Sequence, residues 1–326
     1  MPGDAANPVC VSVTRGAVTE SHHRGAVAVV DTDGRVVMRA GAVEEPVYPR
    51  SVIKPLQALP LVETGAAAAW HLGDAELALA CGSHAGAGDH VETVEAWLAR
   101  LGLDGGALAC NAGAPPAERL RDNCSGKHAG FLTLARHLGA PTADYAALEH
   151  PVQQRVLGVL EQMTGLDDLT GQPRATDGCG VPTIAVPLGN LALAMARLGA
   201  PDDQPERRAE ACARVRRAMA GHPEMVAGRG RAVTRVLGQL GQRAIVKGGA
   251  EGVMAGCCPD LGLGFAVKVD DGAARAANVI AVNLLDRLQR LAGADRAALA
   301  ELLEPPVMTR NGERVGTLRC TAPWDA

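Results

Sequence analysis

The chain has 326 residues, a formal net charge of −4, 47% apolar residues and only 2% aromatics. That length supports one large domain or two smaller ones, with a core of Ala, Val and Leu rather than of rings. The near-balanced charge, with no basic run interleaved with aromatics, argues against nucleic acid as a partner. No stretch of about 18 apolar residues suggests a membrane span.

The first 40 residues alternate in hydrophobicity. VCVSVTRG, AVAVVDTDG and VVMRAGA read as strands, with Asp33-Gly34 a hairpin signal. Helices follow at about 52–64, 74–82 and 89–101, the last with Val91, Val94, Trp97 and Leu98 on one face. A loop rich in Gly, Ala and Pro leads through RDNCSG to a helix over about 127–138 that stops at Gly139. Helices then dominate to about 240, interrupted by the polar TGQPRATDGCGVP loop. RAIVKGG, EGVMAGCC and GLGFAVKVDDG read as a meander. A long helix at about 273–292 places Ala277, Ile280, Ala281, Leu284, Leu285 and Leu288 on one face. A final hairpin is expected to turn at Asn311-Gly312.

Strands at both ends around a helical middle predict an α/β chain of the α+β kind. One antiparallel sheet is built from both termini and flanked by helices. The expected layout is a single domain over 1–326, with a sheet part at about 1–65 and 240–326 and a helical part at about 66–239. The N-terminal segment has no basic region followed by an apolar one, so a cytoplasmic protein is expected. Nine cysteines, two of them adjacent at 257 and 258, fit reduced thiols better than a disulfide framework.

Of 32 basic residues only four are lysine: Lys54, Lys127, Lys247 and Lys268. Arginine replaces lysine on a solvated surface but cannot lose its proton, so persistent lysines draw attention. Serine is almost as scarce, at five copies. In Ser51-Val52-Ile53-Lys54 the i, i+3 spacing puts a hydroxyl and an amine on one helix face. A desolvated amine there takes the hydroxyl proton. Random placement predicts about 0.06 such spacings, so the motif is informative. Pro55 places it at a helix start, where free N–H groups can hold an oxyanion. The alternative is an N-cap serine beside a surface lysine.

Ser83-His84 in CGSH suits a pocket-lining loop, with His84 a donor to a substrate carboxylate; the alternative is a second N-cap. Lys247-Gly248-Gly249 ends a strand, where paired glycines let a ligand lie against the backbone. Its lysine can serve Ser83, or merely sit exposed on a hairpin. Cys124, Lys127 and the distant Cys179 offer a three-ligand set for a soft cation such as zinc, with His128 the more conventional ligand. Read from the residues alone, buried thiols are the favoured explanation. Asp177 can clamp a substrate ammonium. Lys268 is expected to pair with the acids at 270 and 271.

Taken together, YPRSVIKPLQALPLVE, CGSHAGAGDHVE, RDNCSGKHAGFL, DGCGVPT, KGGAEGV and GLGFAVKVDDGAARA resemble the rhizobial-type L-asparaginases of the asparaginase II family. Six blocks in order span nearly the whole chain. The resemblance implies a fold similar to serine β-lactamases and glutaminases, hydrolysis of L-asparagine to L-aspartate and ammonia, and a homodimer. It implies two Ser–Lys pairs, Ser51 with Lys54 and Ser83 with Lys247. It also implies zinc on Cys124, Lys127 and Cys179, tuning substrate binding. Arg50, His84, Asp177 and Glu251 are the expected substrate-binding residues. A glutaminase, a penicillin-recognising serine hydrolase and a non-catalytic amino-acid- or zinc-binding protein are the competing readings.

Overall fold

A computed structural model describes residues 6–324. The strands are β1 (Val9–Arg15), β2 (Val18–Asp31), β3 (Val36–Ala40), β4 (Pro46–Val47), β5 (Arg174–Thr176), β6 (Pro182–Ile184), β7 (Val186–Pro187), β8 (Ile245–Gly248), β9 (Val253–Cys258), β10 (Leu263–Val269), β11 (Pro306–Met308) and β12 (Arg314–Cys320). The helices are α1 (Lys54–Glu63), α2 (Ala66–Ala69), α3 (Asp74–Ala80), α4 (Gly88–Arg100), α5 (Pro116–Arg119), α6 (Ser125–Leu138), α7 (Pro151–Thr164), α8 (Leu188–Gly199), α9 (Glu206–Gly221), α10 (Pro223–Ala227), α11 (Ala232–Leu240), α12 (Ala274–Gln289) and α13 (Gly293–Leu303).

The main sheet runs β11-β12-β1-β2-β10-β9-β8, and β3 also pairs with β2. Every pairing is antiparallel. Its strands come only from 9–40 and 245–320, so both ends of the chain build it. The 14-residue β2 joins the halves: one edge of it pairs with β1 and then β3, while its second half pairs with β10 along Gly25–Asp31. The helix at 293–303 and the short pieces α2, α5 and β4–β7 carry too little periodicity to be read from sequence. No cysteine among the described residues is in a disulfide; all nine are free and eight are buried.

Helix α8 covers β2, β9 and β10, while α12 packs on β1, β9, β10 and β12. β9 is therefore buried along its whole length, and VMAGCC reads as a continuous apolar run instead of an alternating one. Few rings means close approach of backbones. At Gly264 on β10 an added methyl would stand 2.1 Å from the Ala196 nitrogen and 2.2 Å from the Ala192 oxygen of α8. The remaining helices form a layer in which α1 packs on α6, α7 and α9, and α3 packs on α6 and α9. α1, α3, α6 and β8 deliver the residues of the site. Replacing Gly264 by alanine is expected to push α8 off the sheet and cost roughly 2–4 kcal/mol of stability. Urea unfolding of G264A against the parent checks this.

Candidate active site

A 3-10 turn at Arg50–Ile53 runs into α1, with Pro55 in the first helical turn, where its missing N–H costs nothing. Lys54 is thus the first residue of α1, and it is 1% exposed. A buried ammonium needs acceptors for its three protons. Lys54 Nζ donates to the Gly82 carbonyl at 2.6 Å and the Asn123 carbonyl at 3.3 Å, and lies 3.0 Å from Ser83 Oγ. Lys247, at the end of β8 and 2% exposed, lies 2.9 Å from the same Ser83 Oγ and donates to the Gly248 carbonyl at 2.6 Å. One hydroxyl stands between two buried amines. Burial pushes both lysines below their usual range, and the nearby Lys54 charge pushes Lys247 further.

The pairing read from sequence changes here. Among the described residues, Lys54 makes no hydrogen bond to Ser51. A shared helical face aligns the stems, but the long lysine stem carries its amine past Ser51 to the Gly82 and Asn123 carbonyls and the Ser83 hydroxyl. Ser51 Oγ instead has no hydrogen-bond partner among the described residues and stands in the wall of a cavity of about 450 Å³ that Ser83, His84, Lys247 and Gly249 also line. The backbone N–H groups of Ser51 and Ala250 have no acceptor among the described residues, whereas that of Ser83 donates to the Val226 carbonyl at 2.8 Å. The Gly248-Gly249 backbone lies against this turn: a methyl on Gly249 would be 3.3 Å from the Ser51 nitrogen. That close approach explains Gly249; a methyl on Gly248 would meet nothing nearer than 3.5 Å.

The expected substrate-binding residues divide. His84 lines the cavity with its ring, but both its nitrogens are engaged. The Gly86 N–H donates to Nδ1 at 3.2 Å, which leaves the proton on Nε2 to donate to Ser125 Oγ at 3.0 Å. Burial first, then neighbouring His90 and Lys54, pushes its pKa down to about 3, so it stays neutral. His84 positions Ser125 at the start of α6 and has no donor left for a carboxylate. Glu251 is exposed at φ 58° in the β8–β9 turn, does not line the cavity, and offers only its carbonyl to Lys268 at 2.8 Å. The turn that brings Gly249 inward points residue 251 out. Lys268 itself donates to the Glu251 and Val269 carbonyls and, among the described residues, to no acid. Arg50 and Asp177 pair with each other at 2.8 Å. Burial alone would raise Asp177, but the Gly178 N–H and the Arg50 guanidinium outweigh it and hold the carboxyl below its usual range. Three further cavity residues, Asn123, Arg231 and Asn278, escaped sequence reading. Only Asn123, inside RDNCSGK, lies within a motif.

Arg50, Ser51, Lys54, Lys127 and Asp177 also line a crevice too narrow for water. Beyond it sit Cys124, Cys179 and Lys127, 6%, 5% and 3% exposed. Lys127 Nζ donates to Cys179 Sγ at 2.9 Å. Cys124 Sγ donates to Asn123 Oδ1 at 3.1 Å. The neighbouring Cys179 thiol, with the Lys54 and Lys127 charges, holds Cys124 below its usual range against burial, while the same pairing and burial push Cys179 up. Burial would lower Lys127, yet the two sulfurs hold it above its usual value. The two sulfurs and the amine are donor types that a soft cation such as zinc would take, and loading would have to release their protons. Among the described residues no group of three or more His, Cys, Asp or Glu side chains is placed to hold a metal. The alternative ligand, His128, is turned to Tyr145, whose hydroxyl is 2.7 Å from Nδ1.

A family model described as L-asparaginase II matches residues 11–320. The chain belongs to the L-asparaginase II family. Among solved structures it is similar to Mglu in its native form, at 17% identity over 82% of this chain and 65% of Mglu, with a TM-score of 0.48. It is also similar to a β-lactamase from Mycobacterium bovis (17% identity, 85% and 94% of the two chains, TM-score 0.41) and a putative β-lactamase from Bacteroides dorei DSM 17855 (14%, 81% and 93%, 0.43). The chain spans just under two thirds of Mglu's length. No curated protein matches the sequence. Among the described residues no helix is long and apolar enough to cross a membrane.

Because His84 acts through Ser125, H84N is expected to lower stability by about 1–3 kcal/mol while KM changes less than about threefold. Thermal melts and steady-state kinetics together check this; a large rise in KM at unchanged stability would return His84 to the substrate.

Proposed function

We propose that the protein is an L-asparaginase that hydrolyses L-asparagine to L-aspartate and ammonia through an acyl-enzyme. The observation that carries this reading is Ser83 Oγ, 3.0 and 2.9 Å from two buried lysine amines, in the wall of the cavity that also holds Ser51. Ser51 attacks the side-chain amide carbon. Its proton passes to Ser83 and on to a neutral lysine amine. The free N–H groups of Ser51 and Ala250 stabilise the oxyanion. Their freedom favours Ser51 as nucleophile, since the Ser83 N–H is already committed. The lysine proton returns through Ser83 to the amide nitrogen, the C–N bond breaks and ammonia leaves. Water then attacks the ester, its proton follows the same relay, and aspartate and free Ser51 are released. Cys124, Cys179 and Lys127 would hold zinc. A divalent cation there supplies positive charge beside Asn123 and Lys54 and tunes the cavity from behind.

Ammonia release from L-asparagine and L-glutamine tests the reading, with faster turnover expected for asparagine. S51A and S83A are each expected to lower kcat about 10³-fold or more. Near-parental turnover in both would overturn the scheme. Mass spectrometry of acid-quenched enzyme should find the acyl group on the Ser51 peptide; an adduct on Ser83 would exchange the two roles.

The relay needs a neutral amine. Lys247 is held well below the ordinary lysine range by burial and by Lys54. Activity is therefore lost as pH falls through that lowered value and is full above it. The acid limb of kcat/KM should lie well below the pH at which free lysine titrates, and a limb near that pH would contradict a buried-lysine base.

A further inference from the structure

The charge around the cavity is one-sided. Among the described residues no Asp or Glu lines it, and Arg231 is the arginine that does, charged at any working pH. Arg231 stands just before α11, where Gly228 at φ 103° and Gly230 at φ 74° turn the chain back over the 83–90 loop. A methyl on Gly228 would be 2.8 Å from the Ala85 side chain, so this turn is held close. The guanidinium therefore hangs beside Ser83. Its single hydrogen bond among the described residues is long, Nη1 to the Ser83 carbonyl at 3.4 Å, and it has no acid partner among them. Arg50 differs, because Asp177 already neutralises it.

We propose that Arg231 is the specificity-determining residue that grips the α-carboxylate of the substrate. This rests on the amidohydrolase reading of the same cavity. Asparagine separates its carboxamide from its α-carboxylate by two carbons. An amide carbon at Ser51 and Ser83 thus leaves the carboxylate at the cavity wall, where a guanidinium next to Ser83 meets it. A forked guanidinium suits a carboxylate in two-point contact. With no acid among the described lining residues, a free ammonium meets no opposite charge, so selection falls on the anionic end. Primary amides that lack the carboxylate, or carry it blocked, are rejected.

The experiment is a cycle between enzyme and substrate. R231Q is expected to raise KM for L-asparagine about 10- to 100-fold, with a much smaller fall in kcat. L-asparaginamide, whose α-carboxylate is blocked as an amide, should show a similar loss with the parent enzyme and little further loss with R231Q. R231K should recover part of the affinity. Additive losses in the cycle, or an unchanged KM in R231Q while the parent still turns over asparagine, would overturn the assignment and leave the asparaginase reading intact. Calorimetric titration with L-aspartate reads the same contact without turnover. Weaker binding to R231Q supports it, and equal binding to both proteins overturns it even if asparagine is not hydrolysed.

Discussion

Two lysine amines share one serine hydroxyl inside the protein, and the rest of the site is arranged around that contact. Placing an ammonium out of water is expensive unless its donors are met. Placing two beside each other is worse, since each disfavours the charge of the other. The structure meets the demand with carbonyls: Gly82 and Asn123 for Lys54, Gly248 for Lys247. Those acceptors lie after α3, before α6 and on β8. The contact therefore spans the helical layer and the sheet, and it exists only when the two halves of the chain are docked.

The docking itself rests on small residues. Gly264 lets α8 touch β10, Gly249 lets the β8 turn touch Ser51, and Gly228 lets the α11 approach touch the Ser83 loop. A chain with 2% aromatics cannot hold its layers apart with rings. It packs backbone against backbone instead, which is also how free N–H groups come to face the cavity. On the far side of Lys54 the Cys124–Cys179–Lys127 cluster continues the line of buried polar groups. His84 and Ser125 brace the start of α6 that carries Cys124 and Lys127. Charge at the thiol cluster and the protonation of the lysines are thus physically adjacent.

Much of the fold was legible. Period-two segments at both ends and period-3.6 segments between them predict an antiparallel sheet closed by both termini, and β1–β3 and β8–β10 form it. The site was legible as a set of residues but not as a set of partners. Pro55 correctly places Ser51 and Lys54 at a helix start, yet the i, i+3 rule describes Cα positions and not where a long side chain finds acceptors. His84 was read as a free donor because a sequence does not reveal that Gly86 and Ser125 occupy its two nitrogens. Glu251 lies in a motif with Lys247 and Gly249, but a tight turn sends neighbouring residues opposite ways. Arg231 gave no signal at all, being one of 28 arginines in a chain that uses arginine for most of its positive charge.

Sequence alone determined the family-defining blocks, the order of the elements and the residue types able to do acid–base work. Those follow from local spacing and from the scarcity of lysine and serine, which are properties of the linear chain. Only the tertiary structure decided that Ser83, not Ser51, receives both amines, that the N–H groups of Ser51 and Ala250 have no acceptor among the described residues, and that Arg231 lines the cavity with no described acid beside it. These depend on which acceptors surround a buried group in three dimensions. A buried amine goes where its hydrogen bonds can be met, and the chain order holds no record of that place.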